Sequence, residues 1–120
     1  LPLILEGNDQ QKTFLKWFRS NKPDAIIAQQ TEIVDWLKAG KVNVPEKVGI
    51  AFTGLPEDNS AAAKYSGILP QSKALGVAAM DLLHGAIIHR DEGIPLVQQS
   101  LLIQGIWQDG STTRRVNRRE

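Results

Sequence analysis

The chain has 120 residues, 42% apolar and 22% charged, which allows one modest core and therefore a single domain or a piece of one. No stretch of about 18 apolar residues could span a membrane, no secretory-signal pattern opens the chain, and the lack of cysteine excludes disulfides and thiolate metal sites, as suits a reducing, cytoplasmic setting. The net charge of +1 is uneven: without residues 114–120, ten Lys and Arg face twelve Asp and Glu, a net −2, so the body carries no basic field for binding nucleic acid directly.

In chain order, "LPLILEG" has the branched apolar character of a buried strand and stops at Gly7. Asn8 and Asp9 are able to cap a helix whose stripe is Phe14, Leu15 and Phe18, widened by Trp17, and which runs to about Asn21. Lys22-Pro23-Asp24 is a turn, since a residue before proline is pushed out of helical geometry. "AIIA" (residues 25–28) is the second strand. Thr31 is a good N-cap for a second helix carrying Ile33, Val34 and Leu37, and Gly40 is placed to end it in left-handed geometry. "KVGIAF" (residues 47–52) is the third strand. This strand-helix alternation with short connections predicts an α/β fold, a right-handed parallel sheet with helices on both faces.

After Phe52 the rhythm breaks. "TGLPEDNSAAAKYSG" carries Gly, Pro and Asn punctuation with at most one helical turn, capped by Ser60, and "SGILP" is a short extended piece. Ser72 caps the longest helix, which has Leu75, Ala79, Leu82, Leu83 and Ala86 on one side and reaches about His89. "LVQQSLLI" and "GIWQ" are two short extended pieces, and the four arginines after residue 113 read as a frayed, disordered basic tail.

Ligands of open parallel sheets bind in the crevice beyond the carboxyl ends of the strands. Three strand ends here finish in polar clusters: Gly7-Asn8-Asp9, Gln29-Gln30-Thr31 and Thr53-Gly54-Leu55. Amides and hydroxyls both donate and accept, so they suit a neutral polyol, sugar or nucleoside better than a bare phosphate. Asn8, Asp9 and Thr31, taken singly, are better explained as caps and turn-formers. Gln30, a poor cap, favours a ligand. Other chemistry is thin. There is no P-loop, no G-x-G-x-x-G and no G-x-S-x-G. His84 and His89 are five apart rather than four, Glu57-Asp58 and Asp91-Glu92 are solvated loop pairs, and no nucleophile, base and orienter assemble. The expectation is a protein that is not an enzyme and uses no cofactor.

"KPDAIIAQQTEIVDWLKAGKVNVPEKVGIAFTG" resembles the "PDAI…AND", helix, "G…VPEDVSVVGFDD" pattern of LacI/GalR-type transcriptional regulators. "YSGILPQSKALGVAAMDLL" resembles the segment that follows it in that family, and "SLLIQGIWQDGST" the strand pair ending in "RGST". The ordered set implies the carboxyl-terminal half of a two-lobed, periplasmic-binding-protein-like effector-binding domain. Residues 1–68 and 105–112 would form the second lobe, residues 72–102 would cross back to the first, and 114–120 would be the tail. The first lobe and a helix-turn-helix for operator DNA would lie upstream.

By position, the family's effector-binding Asn falls on Gln30 and the Asp after it on Thr31. The first Asp of "GFDD" falls on Gly54, beside Thr53, and the ligand-proximal Gln falls on Pro70, beside Gln71. The resemblance thus implies a ligand site of Gln30, Thr31, Thr53, Gly54 and Gln71, without the family's carboxylate. It also implies a homodimer interface on the helix after the "AND" position, at Val34, Trp36 and Leu37. The expected protein is the effector-sensing, dimerising portion of a cytoplasmic regulator. It would close its lobes on a small sugar-like molecule and reorient DNA-binding heads. The alternative is a secreted solute-binding protein of the same architecture.

Overall fold

The computed structural model describes residues 3–57, 64–91, 93–94 and 97–115. The chain divides into two compact units, Leu1–Leu69 with Trp107–Glu120, and Pro70–Ile106. It is a mixed α/β structure with a four-stranded, mostly parallel sheet.

The first unit begins with α1 (Gln10–Asn21), whose Phe14 and Phe18, one turn apart, are buried. Asp9 precedes the helix without a side-chain capping bond, its carboxylate pairing instead with Lys12 at 3.3 Å. Lys22, just before Pro23, ends α1 in the left-handed region and donates its N–H to the Phe18 carbonyl at 2.8 Å. β1 (Ala25–Ala28) then pairs in parallel with β2 (Gly49–Phe52), Ala25 opposite Gly49 and Ala28 opposite Phe52. Between them α2 (Ile33–Ala39) buries Ile33, Val34 and Leu37. β3 (Gly67–Leu69) continues the sheet in parallel from Phe52, and β4 (Ile106–Gln108) completes the order β1-β2-β3-β4.

Alternation along the strands decides where the core sits. Val48, Ile50 and Phe52 are buried with the apolar faces of α1 and α2, while Ile26 and Ala28 pack against the same cluster. The helices meet through the Phe14 and Trp36 rings, whose centroids are 5.8 Å apart. The opposite face carries Ala25 and Ile27, and Ile27 is 79% exposed. Within this unit the helices therefore cover one face of the sheet, not both as expected, because α1 and α2 share a single aromatic-aliphatic cluster.

The sheet's far side is stitched by the segment after β4. Buried Thr112 accepts the Ser66 N–H at its hydroxyl (2.9 Å), donates that hydroxyl to the Ile50 carbonyl (2.8 Å), and takes the Ile50 N–H on its own carbonyl (2.7 Å). The Ser66 hydroxyl accepts the Gly110 N–H at 2.9 Å, and Ser111 donates to the Lys64 carbonyl at 2.8 Å. Arg114, expected in a disordered tail, is instead clamped by two bonds from its guanidinium, to the Pro45 carbonyl at 2.7 Å and the Lys47 carbonyl at 3.0 Å. Residues 116–120 lie outside the described residues, as does the turn expected at Ser60.

Three other expectations change. Residues 3–6 form no strand: Leu3 and Leu5 pack on the core without pairing to β1. α2 starts two residues after Thr31, with Glu32 at its N-cap. Gly40 keeps φ at −77°, and it is Lys41 that takes the positive φ, 57°.

The second unit contains α3 (Ser72–His89), preceded by Gln71 in the left-handed region, so Ser72 is the first helical residue and not the cap. None of its 18 residues is buried, and Met80, Ile87 and Ile88 are all more than 60% exposed. Residues 97–103, expected to be a strand, carry no strand, and Leu102 is 88% exposed. A strand needs a partner for its N–H and C=O groups, and the described residues offer this segment none. No helix among the described residues is long and apolar enough to cross a membrane.

Candidate functional site: a polar crevice at the ends of β1 and β2

Parallel pairing sets Ala28 beside Phe52, so the two chains leave the sheet together at its carboxyl edge. The Thr53 N–H donates to the Ala28 carbonyl at 2.9 Å, and the Thr53 hydroxyl points at the same oxygen from 3.5 Å. Leu55, buried, fixes the next turn by donating its N–H to the Ile68 carbonyl at 2.8 Å. On the other chain, Gln29, Gln30 and Thr31 bridge from β1 to α2, whose first turn begins where the Val34 N–H meets the Thr31 carbonyl at 3.2 Å.

The result is a crevice of about 500 Å³, walled by Gln29, Gln30, Thr31 and Glu32 on one side chain run and by Thr53, Gly54, Leu55 and Pro56 on the other. The structure thus brings Gln30, Thr31, Thr53 and Gly54 into one place. Gln71 belongs to the second unit, where its φ is 54° and its carbonyl accepts the Leu75 N–H at 3.0 Å. Among the described residues, the side chains of Gln29, Gln30 and Thr31 make no hydrogen bond to the protein. Because Glu32 occupies the cap position and makes no side-chain capping bond, the Thr31 hydroxyl is not used up by α2. Two primary amides and two hydroxyls therefore face one concave volume with donors and acceptors to spare.

Chemically, the crevice offers mostly uncharged hydrogen-bonding groups. Its single ionisable lining residue is Glu32, at the start of α2. Among the described residues no group of His, Asp and Glu could hold a metal ion. Gly54 leaves room: a Cβ built there meets nothing within 4 Å. Sequence reasoning missed Glu32 and Pro56, which enter only because the two connecting loops turn toward each other after leaving parallel neighbours.

The expected dimer residues are placed differently. Val34 and Leu37 are 3% and 0% exposed, inside the core of their own chain, so they are unavailable to a second copy. Trp36 is half-buried against Phe14. The side of α2 turned to solvent carries Glu32, Asp35, Lys38 and Ala39. Compared with protein-family models, with curated proteins and with solved structures, the chain matches none of them.

Proposed function

We propose that this chain is the effector-binding portion of a DNA-binding transcriptional regulator of LacI/GalR type, and that the crevice at the ends of β1 and β2 takes a small neutral polyhydroxy compound such as a sugar. The observation that carries the reading is the convergence of Gln29, Gln30, Thr31 and Thr53 on one concave volume at the carboxyl edge of a parallel sheet. That is where open α/β sheets bind ligands. The ordered sequence resemblance supplies the link to transcription. With Gly54 where that family has a carboxylate, recognition rests on amides and hydroxyls, and a neutral ligand fits better than a cationic one. Homodimerisation, which the resemblance implies, would use surfaces other than Val34 and Leu37.

Titration calorimetry with a panel of neutral monosaccharides and nucleosides tests the reading. A member of the panel should bind, and Gln30→Ala should weaken it by the loss of one or two hydrogen bonds. At about 0.5–1.5 kcal/mol each, that is roughly twofold to 150-fold in affinity. Binding that is indifferent to Gln30→Ala would place the ligand elsewhere.

A further inference from the structure

Glu32 stands in the wall of the crevice, where the chain turns from β1 into α2. Its backbone is fixed: φ and ψ are −59° and −23°, and its carbonyl accepts the Asp35 and Trp36 N–H groups at 3.0 and 3.1 Å. Its carboxylate is not. It makes no side-chain capping bond to α2 and, among the described residues, no ion pair or hydrogen bond. The residues three and four positions on are Asp35 and Trp36, and those three and four back are Gln29 and Ala28, so the local sequence gives it no cation.

This carboxylate differs in kind from the rest of the wall. The amides of Gln29 and Gln30 and the hydroxyls of Thr31 and Thr53 carry both donors and acceptors, whereas an ionised carboxylate only accepts, at two oxygens with room for several donors. An occupant of the crevice must therefore turn donors toward Glu32 and keep negative charge away from it. Hydroxyls on two adjacent carbons meet both demands. One reaches each carboxylate oxygen, through charge-assisted bonds that are shorter and stronger than those between neutral groups. In dinucleotide-binding parallel sheets an acidic residue accepts a ribose hydroxyl in the same manner. A phosphate or an acidic sugar brings charge of the wrong sign. An ammonium brings the right sign, but it is a compact, strongly hydrated charge that would find one carboxylate among neutral groups, and exposed ion pairs contribute little.

Resting on the reading of the crevice as a polyol site, we propose that Glu32 is its specificity-determining residue. The carboxylate accepts two adjacent hydroxyls of an uncharged, unphosphorylated sugar or nucleoside, and so selects a vicinal diol over the compound that lacks one of the pair. Gln29, Gln30, Thr31 and Thr53 hold the remaining polar groups.

Calorimetric titration of the full chain and of its Glu32→Gln variant tests this. The probes are adenosine against 2′-deoxyadenosine, ribose against 2-deoxyribose, and glucose against 2-deoxyglucose and 4-deoxyglucose, with glucosamine as the cationic compound. Glu32 is exposed and its side chain has no partner among the described residues, so the variant folds as the parent does. At least one neutral compound should bind. A deoxy form of it should bind about tenfold more weakly, the loss expected for one hydrogen bond to a charged group. Glu32→Gln should weaken the diol form and shrink that difference. Equal affinity for each compound and its deoxy forms would overturn the proposal, as would a difference that survives Glu32→Gln, or glucosamine binding more tightly than glucose in the parent and not in the variant. If Gln30→Ala weakens binding and Glu32→Gln does not, the crevice remains a polyol site and Glu32 is no part of its recognition. If no neutral compound binds, both readings fall.

Discussion

Replacing Thr112 by valine keeps the shape of a side chain that is 2% exposed and removes only its hydroxyl. That hydroxyl is the acceptor for the Ser66 N–H and the donor to the Ile50 carbonyl, at 2.9 and 2.8 Å, both in buried surroundings. Neither backbone group gains another partner or water when the hydroxyl goes, so each is left to meet its desolvation cost alone. At about 1–3 kcal/mol per orphaned buried group, Thr112→Val should lose roughly 2–6 kcal/mol, a large share of the 5–15 kcal/mol typical of a whole domain. Thr112→Ser keeps both bonds and gives up one methyl, worth about 1 kcal/mol. Urea denaturation followed by tryptophan fluorescence should therefore show the midpoint falling far more for valine than for serine, with the slope unchanged in both. Equal losses for the two variants would mean that packing, not the shared hydroxyl, holds the segment after β4 onto β2, and would refute the reasoning.

Gln30→Ala, at an exposed position without protein partners, should leave the urea midpoint within about 0.5 kcal/mol of the parent. Gly54→Asp should fold normally, since a Cβ there meets nothing within 4 Å, and isothermal titration should show the crevice gaining affinity for a ligand with an amine near its hydroxyls. Gly67→Ala should destabilise by about 1–3 kcal/mol or more in the same urea assay, because its Cβ would be driven into the backbone of Phe52. Burying one large aliphatic side chain is worth about 1.5–3 kcal/mol, and α3 exposes Leu75, Leu82, Leu83 and Ile87 together. Sedimentation should accordingly show the chain associating at micromolar concentration, and the double change Leu82→Glu, Leu83→Glu should return it to a monomer.

α1, β1, α2, β2 and α3 were legible because each carries its own signal: the Phe14 and Phe18 stripe, "AIIA", the Ile33-Val34-Leu37 face, "GIAF", and an unbroken 18-residue apolar helix. Residues 3–6 and 97–103 look like strands by composition, but strand formation depends on a neighbour, and β-propensity does not say whether one is present. Gly40 was expected to turn left-handed, yet the chain places that conformation one residue later at Lys41, where the N–H donates to the Lys38 carbonyl at 2.9 Å. Val34 and Leu37 could not be assigned to core or interface from sequence, since both uses demand the same apolar face. In the crevice, Gln30, Thr31, Thr53 and Gly54 could be found because parallel neighbours must release their chains at one edge. Glu32 and Pro56 could not, since they enter through loop path alone.

The crevice as a binding site for a neutral polar molecule is tested most directly by mapping amide chemical shifts of the isotope-labelled chain as glucose, ribose and adenosine are added separately, with inorganic phosphate as the anionic control. A saturable perturbation confined to Gln29, Gln30, Thr31, Thr53, Gly54 and Leu55, produced by one of the neutral compounds and absent with phosphate, is the result expected. Shifts that cluster on α1 or β3 instead, or a response to phosphate alone, would contradict it.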